Sequence, residues 1–160
     1  MAKKGKAEEK KAGPATITNR KARFDFEILD TWEAGLVLVG SEVKSIYLGR
    51  VNLSDAHCRI LDGEAWLIGA DIEPYDKAAH FAPDRRRDRK LLLHRREIAL
   101  IGRRAQEKGL TIVPLRLYFK GGRAKLEIGL GRGKRQYDKR EQIAQKESRR
   151  EQERARAMRD

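Results

Sequence analysis

Most apolar positions between residues 23 and 130 fall in short runs that alternate with polar ones, the signature of strands with one buried face. Phe24, Phe26 and Ile28 alternate with Asp25 and Glu27, and a second apolar run, Leu36–Val39, follows a break at Ala34-Gly35. Ser41 and Glu42 open a short helix predicted to run through Tyr47 and to stop near Gly49. Two further strands, Cys58–Leu61 and Glu64–Ile68, flank Asp62-Gly63, a dipeptide that suits tight hairpin turns needing positive φ. Pro74-Tyr75 ends the second, and a polar loop spans 76–89. Then the period lengthens. Leu91, His94, Ile98, Ile101 and Ala105 recur at helical spacing, and Gly109 stands where a left-handed C-cap belongs. Thr111–Phe119 and Ala124–Leu130 are the last strands, joined by Lys120-Gly121-Gly122-Arg123, and Pro114 marks a sheet edge or a bulge.

Many short strands with one or two interposed helices predict a mainly β fold with helices (α+β). The architecture expected is a small closed β-barrel of the oligonucleotide-binding type over 16–132. Residues 1–15 are Lys, Ala, Glu and Gly with little to bury, and are expected to be a disordered basic arm. Residues 133–160 form a basic tail. Its pairs Glu147–Arg150 and Arg149–Glu153 favour a helix, but no apolar stripe docks it on the core. Isolated helices of this length are marginal in water, so the tail is expected to be disordered when free and helical on its target.

Charge narrows the partner. With 37 Lys+Arg against 24 Asp+Glu, the 160-residue chain carries +13, and a polyanion relieves the resulting self-repulsion. Nucleic acid does so with release of condensed counterions. An anionic membrane would require an amphipathic basic helix, and the tail lacks the apolar face. The lone Cys58 excludes an internal disulfide, and no run of eighteen apolar residues occurs, so a soluble cytoplasmic protein is expected.

Catalytic and metal chemistry find little support. GLGRGK fails as a phosphate loop, which would need Gly at Ile128 and Ser or Thr at Arg135, and as a dinucleotide fingerprint, which would need Gly at Lys134. Its glycines are read as letting backbone approach RNA or leave the barrel without strain. His57 and Cys58 face opposite sides of a strand and cannot share an ion; His94 reads as a structural histidine on the long helix. No catalytic residue, metal or cofactor is assigned. Trp32 and Trp66 read as core anchors, and the DRRRDRK run at 84–90 as a phosphate contact.

Residues 125–140, KLEIGLGRGKRQYDKR, carry the most information. A strand runs out into a basic arm: Arg132, Lys134, Arg135, Lys139 and Arg140 surround Tyr137, a ring free to stack on a base. The partner this chemistry fits is RNA. Glu33 and Glu42 stand out in such a surface, since a carboxylate accepts from base amino groups, from a ribose hydroxyl or from a neighbouring Arg.

Six ordered blocks go further. NRKARFDFEI, EAGLVLVGSEVKSI, DGEAWLIGADIEPY, RKLLLHRREI, KGLTIVPLRLYFK and IGLGRGKRQYDKRE together resemble the SmpB family of SsrA-binding proteins, from about residue 16 into the tail. That resemblance implies a bacterial trans-translation factor without catalytic activity or cofactor: an RNA-binding adapter, not an enzyme, with an oligonucleotide-binding-like barrel and flanking helices. Its expected partners are the tRNA-like domain of transfer-messenger RNA (tmRNA), the stalled ribosome and, through the RNA complex, elongation factor Tu with GTP; a monomer with no membrane partner is expected. The family's RNA-binding face maps onto Asn19, Lys21, Arg23, Glu33, Glu42, Lys44, Lys90, Leu92, Lys125 and Arg132. Its tail, which occupies the empty mRNA channel near the decoding centre, maps onto Gly133, Lys134, Arg135, Tyr137, Asp138, Lys139 and Arg140. Tyr137 stands where some members have His, Tyr47 where Arg is common and His57 where Tyr is usual. The rival readings are a structural ribosomal protein and a general RNA-binding protein.

Overall fold

In the computed structural model, which describes residues 13–76 and 82–159, the alternating runs close on themselves. The strands are β1 (Ile17–Thr18), β2 (Phe26–Leu36), β3 (Val51–Asn52), β4 (His57–Leu61), β5 (Glu64–Ile68), β6 (Asp71–Ile72), β7 (Arg89–Leu92), β8 (Thr111–Lys120) and β9 (Arg123–Gly133). The helices are α1 (Arg20–Asp25), α2 (Gly40–Tyr47), α3 (Arg95–Lys108) and α4 (Gln136–Arg159). Pairing runs β8-β4-β5-β7-β2-β9 and returns from β9 to β8, a closed antiparallel barrel, with β1 added to β8 and β3-β6 as a separate ribbon. Closure leaves no long unpaired edge among these strands.

Ala34, Leu67, Leu91, Leu117, Leu126, Ile128 and Leu130 fill the interior, and Ile46 of α2 and Ile101 of α3 join the same core. A second, smaller cluster sits under α1, where Ala22 packs with Val113 and Leu115 against Phe26 and Ile28. Both hairpins have the geometry their sequences dictate. Asp62 and Gly63 take φ of 52° and 75° between the paired Leu61 and Glu64, and Gly121-Gly122 joins the paired Lys120 and Arg123. Gly109 ends α3 at φ 60°, and the Glu97 carboxylate accepts from the His94 N–H at its start. Pro114 lies at a bulge: register slips between Pro114 and Arg116, leaving Leu115 as the extra residue.

Several expectations are corrected. Phe24 belongs to α1, because Asn19 caps a helical turn there, and β2 continues through Ala34-Gly35 instead of breaking. Gly35 is kept small by Leu92, whose Cβ lies 3.2 Å from where a Gly35 Cβ would stand. The long helix starts at Arg95, not Leu91; Leu91 and Leu92 pair with β2, since a short apolar run fits either period. β9 extends past Leu130 to Gly133. Trp32 packs on the core as expected, whereas half-buried Trp66 alternates with buried Ala65 and Leu67 and so points outward. The expectation for the N-terminal arm falls on residues outside those described up to residue 12; Ala15 is bonded through its N–H to the Tyr47 carbonyl at 3.1 Å.

Candidate nucleic-acid interface

The residues singled out in sequence gather in three places. On the outer face of β2, β8 and β9, alternation turns Arg116, Tyr118 and Lys120 outward, opposite Glu127 and Lys125 of β9. The Tyr118 hydroxyl and the Lys120 ammonium (3.5 Å) donate to Glu33. The Tyr118 bond, with Lys120 and Lys125 adding attraction against a smaller desolvation cost, holds the Glu33 carboxyl below its usual range. Partial burial, then the bond to Glu33, pushes the Tyr118 phenol up to about 12, so it stays a donor at neutral pH. Arg116 stacks 4.6 Å from the Tyr118 ring centroid. Beside this set, Lys125 and Leu92 line an open groove of about 320 Å³ with Gly35, Leu38, Val43 and Ala124. Leu92 is 52% exposed.

The second place is the junction of α1 with the tail. Asn19 is 4% exposed and serves the fold. Its carboxamide oxygen accepts from the Ala22 N–H, and its Nδ2 donates to Leu53 O (3.1 Å) and Pro114 O (2.8 Å), tying α1 to the barrel. Lys21 and Arg23 then project outward, at 3.6 Å from Asp55 and 3.1 Å from Glu127. Lys134 donates its backbone N–H to Asp25 O (2.9 Å) and its ammonium to Arg23 O (3.1 Å). Lys139 lies 3.0 Å from the Asp25 carboxylate and 5.9 Å from the Phe24 ring centroid. Arg135, Asp138 and Arg140 are exposed, and a Cβ on Gly133 would meet nothing within 4 Å. The Tyr137 side chain lies outside the described residues.

The third place is α2 with the arginine run. Glu42 is 3% exposed. It accepts from Arg87, from Arg89 Nε at 2.7 Å and from the Val39 N–H at 3.1 Å. Burial alone would raise its pKa; the Arg87, Val39 and Arg89 bonds outweigh that and lower it. Arg89 is fully buried, and its remaining donors reach Ala70 O and Arg85 O. Arg85 grips Asp71 at 2.7 and 3.2 Å, which lowers the carboxyl's pKa. The run read as a phosphate contact is thus largely committed within the fold, because buried Glu42 and half-buried Asp71 require partners. Lys44 remains exposed, 5.2 Å from the Tyr75 ring centroid; Lys90 pairs with Glu64 at 3.0 Å, and Arg132 with Glu27 at 3.9 Å.

Two of the three glycines of GLGRG have a packing role. A Cβ on Gly129 would stand 2.7 Å from Leu115 Cδ1, and one on Gly131 would stand 2.9 Å from Phe26 Cβ. Gly133 alone of this run is open. Sequence reasoning also passed over Arg116, Tyr118 and Lys120, although their period-2 spacing in β8 was the signal. Among the described residues, no group of three or more His, Cys, Asp or Glu is placed to hold a metal, and no helix is long and apolar enough to cross a membrane. Burial pushes the Cys58 thiol up, which disfavours its thiolate form.

A family model described as "SmpB protein" matches residues 16–159. This chain belongs to the SmpB family. The SsrA-binding protein of Roseiflexus sp. (strain RS-1) is 56% identical over 138 residues, covering 86% of this chain and 87% of that one. The SsrA-binding protein of Thermobifida fusca (strain YX) is 53% identical over 156 residues, covering 97% of each. A solved chain from "tmRNA-SmpB: a journey to the center of the bacterial ribosome" superposes with TM-score 0.65 at 45% identity, covering 80% of this chain and 94% of that one. The SmpB match therefore spans the barrel and all of α4.

Proposed function

We infer that this protein is an RNA-binding adapter of trans-translation, which binds tmRNA and acts in the rescue of stalled ribosomes. It is not an enzyme. One observation carries the reading at the level of the site: Leu92 and Lys125, remote in sequence, line a single open groove beside Glu33 on the wall of a closed barrel. An ammonium for phosphate, an exposed apolar side chain for a ribose or base face, and a carboxylate for a hydroxyl or amino group make a recognition surface for folded RNA. Lys21, Arg23, Lys44, Lys90 and Arg132 add phosphate contacts around it. Asn19 and Glu42 act from beneath, by placing α1 and Arg87.

The tail does a different job. Residues 133–160 enter the empty mRNA channel near the decoding centre, a phosphate-lined passage that attracts their charge and that mRNA, when present, fills. There Gly133 gives the chain its exit, Lys134, Arg135, Lys139 and Arg140 meet phosphate, Asp138 stabilises the first turn of α4, and Tyr137 stacks on a base. Elongation factor Tu with GTP joins through the tmRNA, and the protein works as a monomer in the cytoplasm.

A binding titration near physiological salt tests this reading, comparing tmRNA with unrelated folded RNA of equal length. The expected preference is about a hundredfold, ~2.7 kcal/mol. Equal binding would replace the adapter by a general RNA-binding protein.

A further inference from the structure

Four cations converge where α1 meets α4. Arg20 and Arg23 of α1, with Phe24, and Lys146 and Arg149 of α4, with Gln142 and Gln145, line a cleft of about 380 Å³. The ion pairs that α1 and α4 make among the described residues are Lys21–Asp55, Arg23–Glu127 and Lys139–Asp25. Arg20, Lys146 and Arg149 therefore bring charge to the cleft with no carboxylate paired to it there. Like charges gathered this way raise the energy of the docked helix unless an anion enters. The root of the tail is nonetheless fixed in place, by Lys139 on Asp25 at 3.0 Å and by Lys134 on the Asp25 and Arg23 carbonyls.

We propose that this cleft is a binding site for RNA backbone phosphate, and that filling it holds α4 against the barrel. The proposal rests on the RNA-adapter reading above. The chemistry fits the ligand: guanidinium forks suit phosphate oxygens, Lys146 supplies a point charge, and two carboxamides donate from the same wall. Three of the seven lining residues come from α1, which is tied to the barrel, and four from the tail. Bound phosphate thereby links the part that grips RNA to the part that reaches away from it. The phosphate comes either from tmRNA or from ribosomal RNA.

The test uses the full chain with Arg20→Gln/Arg149→Gln in the cleft. Arg154→Gln/Arg156→Gln serves as control, removing the same charge from exposed positions of α4 outside it. Each is titrated at several salt concentrations against tmRNA and, separately, against small ribosomal subunits with an empty mRNA channel. In at least one arm the cleft pair should lower affinity about tenfold and the salt slope by about one to two, with the control losing less than half as much. The arm that shows the loss identifies the source of the phosphate, and Arg20→Lys/Arg149→Lys should restore most of it. Equal losses for cleft and control in both arms, or no loss in either, would overturn the proposal. The unaltered chain's preference for tmRNA over unrelated RNA reports on the adapter reading separately: a missing preference with a surviving cleft effect would sink that reading and leave the cleft standing.

Discussion

Glu42 sits almost wholly buried between two guanidiniums, one of them, Arg89, with no exposed surface at all. Glu42→Gln would leave that guanidinium without its counter-charge, and breaking a buried pair from one side costs about 3–5 kcal/mol. Denaturant unfolding should show the loss as a lower midpoint with an unchanged slope. The pH dependence has a definite sign. The folded-state pKa of Glu42 is lowered, so over the acid range the unfolded chain holds more protons. Its contribution is complete above the unfolded carboxylate value and fades as pH falls through the folded one; the Gln variant should show a flatter acid limb. Glycines make a second contrast. Gly131→Ala forces a Cβ to within 2.9 Å of Phe26 Cβ and should destabilise by about 1–3 kcal/mol, whereas Gly133→Ala meets nothing and should stay within about 0.5 kcal/mol. A functional loss in the Gly133 variant would then belong to the tail's exit, not to folding. Lys125→Glu sets a second carboxylate near Glu33 and should weaken tmRNA binding and lower its salt slope by about one or two. An unchanged slope would place Lys125 outside the interface.

Among the elements, α4 is the least anchored. Apart from half-buried Ile143-adjacent Gln142 and the root at Lys139, its described side chains face solvent, and its contacts with α1 centre on that root. Helix propensity and i to i+4 pairs alone leave such an element marginal. Amide exchange should therefore be fast over residues 145–159 of the free protein and slow in the barrel strands, with protection of the tail gained on its RNA target. Tail amides as protected as those of β8 in the free chain would contradict this. The hairpins, α2 and the C-cap of α3 were legible in sequence because each depends on a local signal: Asp62-Gly63, the Ser41-Glu42 start, Gly109. What was not legible depends on distant partners. Leu91 and Leu92 read as helix until Ala65 and Gly35 are seen to pair with them, and Arg89 reads as a surface cation until Glu42, far away in the chain, is placed against it. Asn19 likewise looked like a contact residue, and only Leu53 and Pro114 reveal it as a fastening.

At the scale of the molecule, the barrel and the tail are packed separately. No α4 residue belongs to either core cluster among the described residues, so the barrel's packing does not depend on the tail. The family and its RNA-binding function were readable in the charge and in the six ordered blocks. The groove shared by Leu92 and Lys125 needed the closed sheet to bring β7 and β9 to the two sides of β2. The most direct measurement compares the full chain with one ending at residue 133, assaying tmRNA affinity and peptide tagging on stalled ribosomes in parallel. The account predicts tmRNA affinity within about tenfold of the full chain, ~1.4 kcal/mol, and tagging abolished. Affinity and tagging falling together to background would contradict a barrel that grips and a tail that senses.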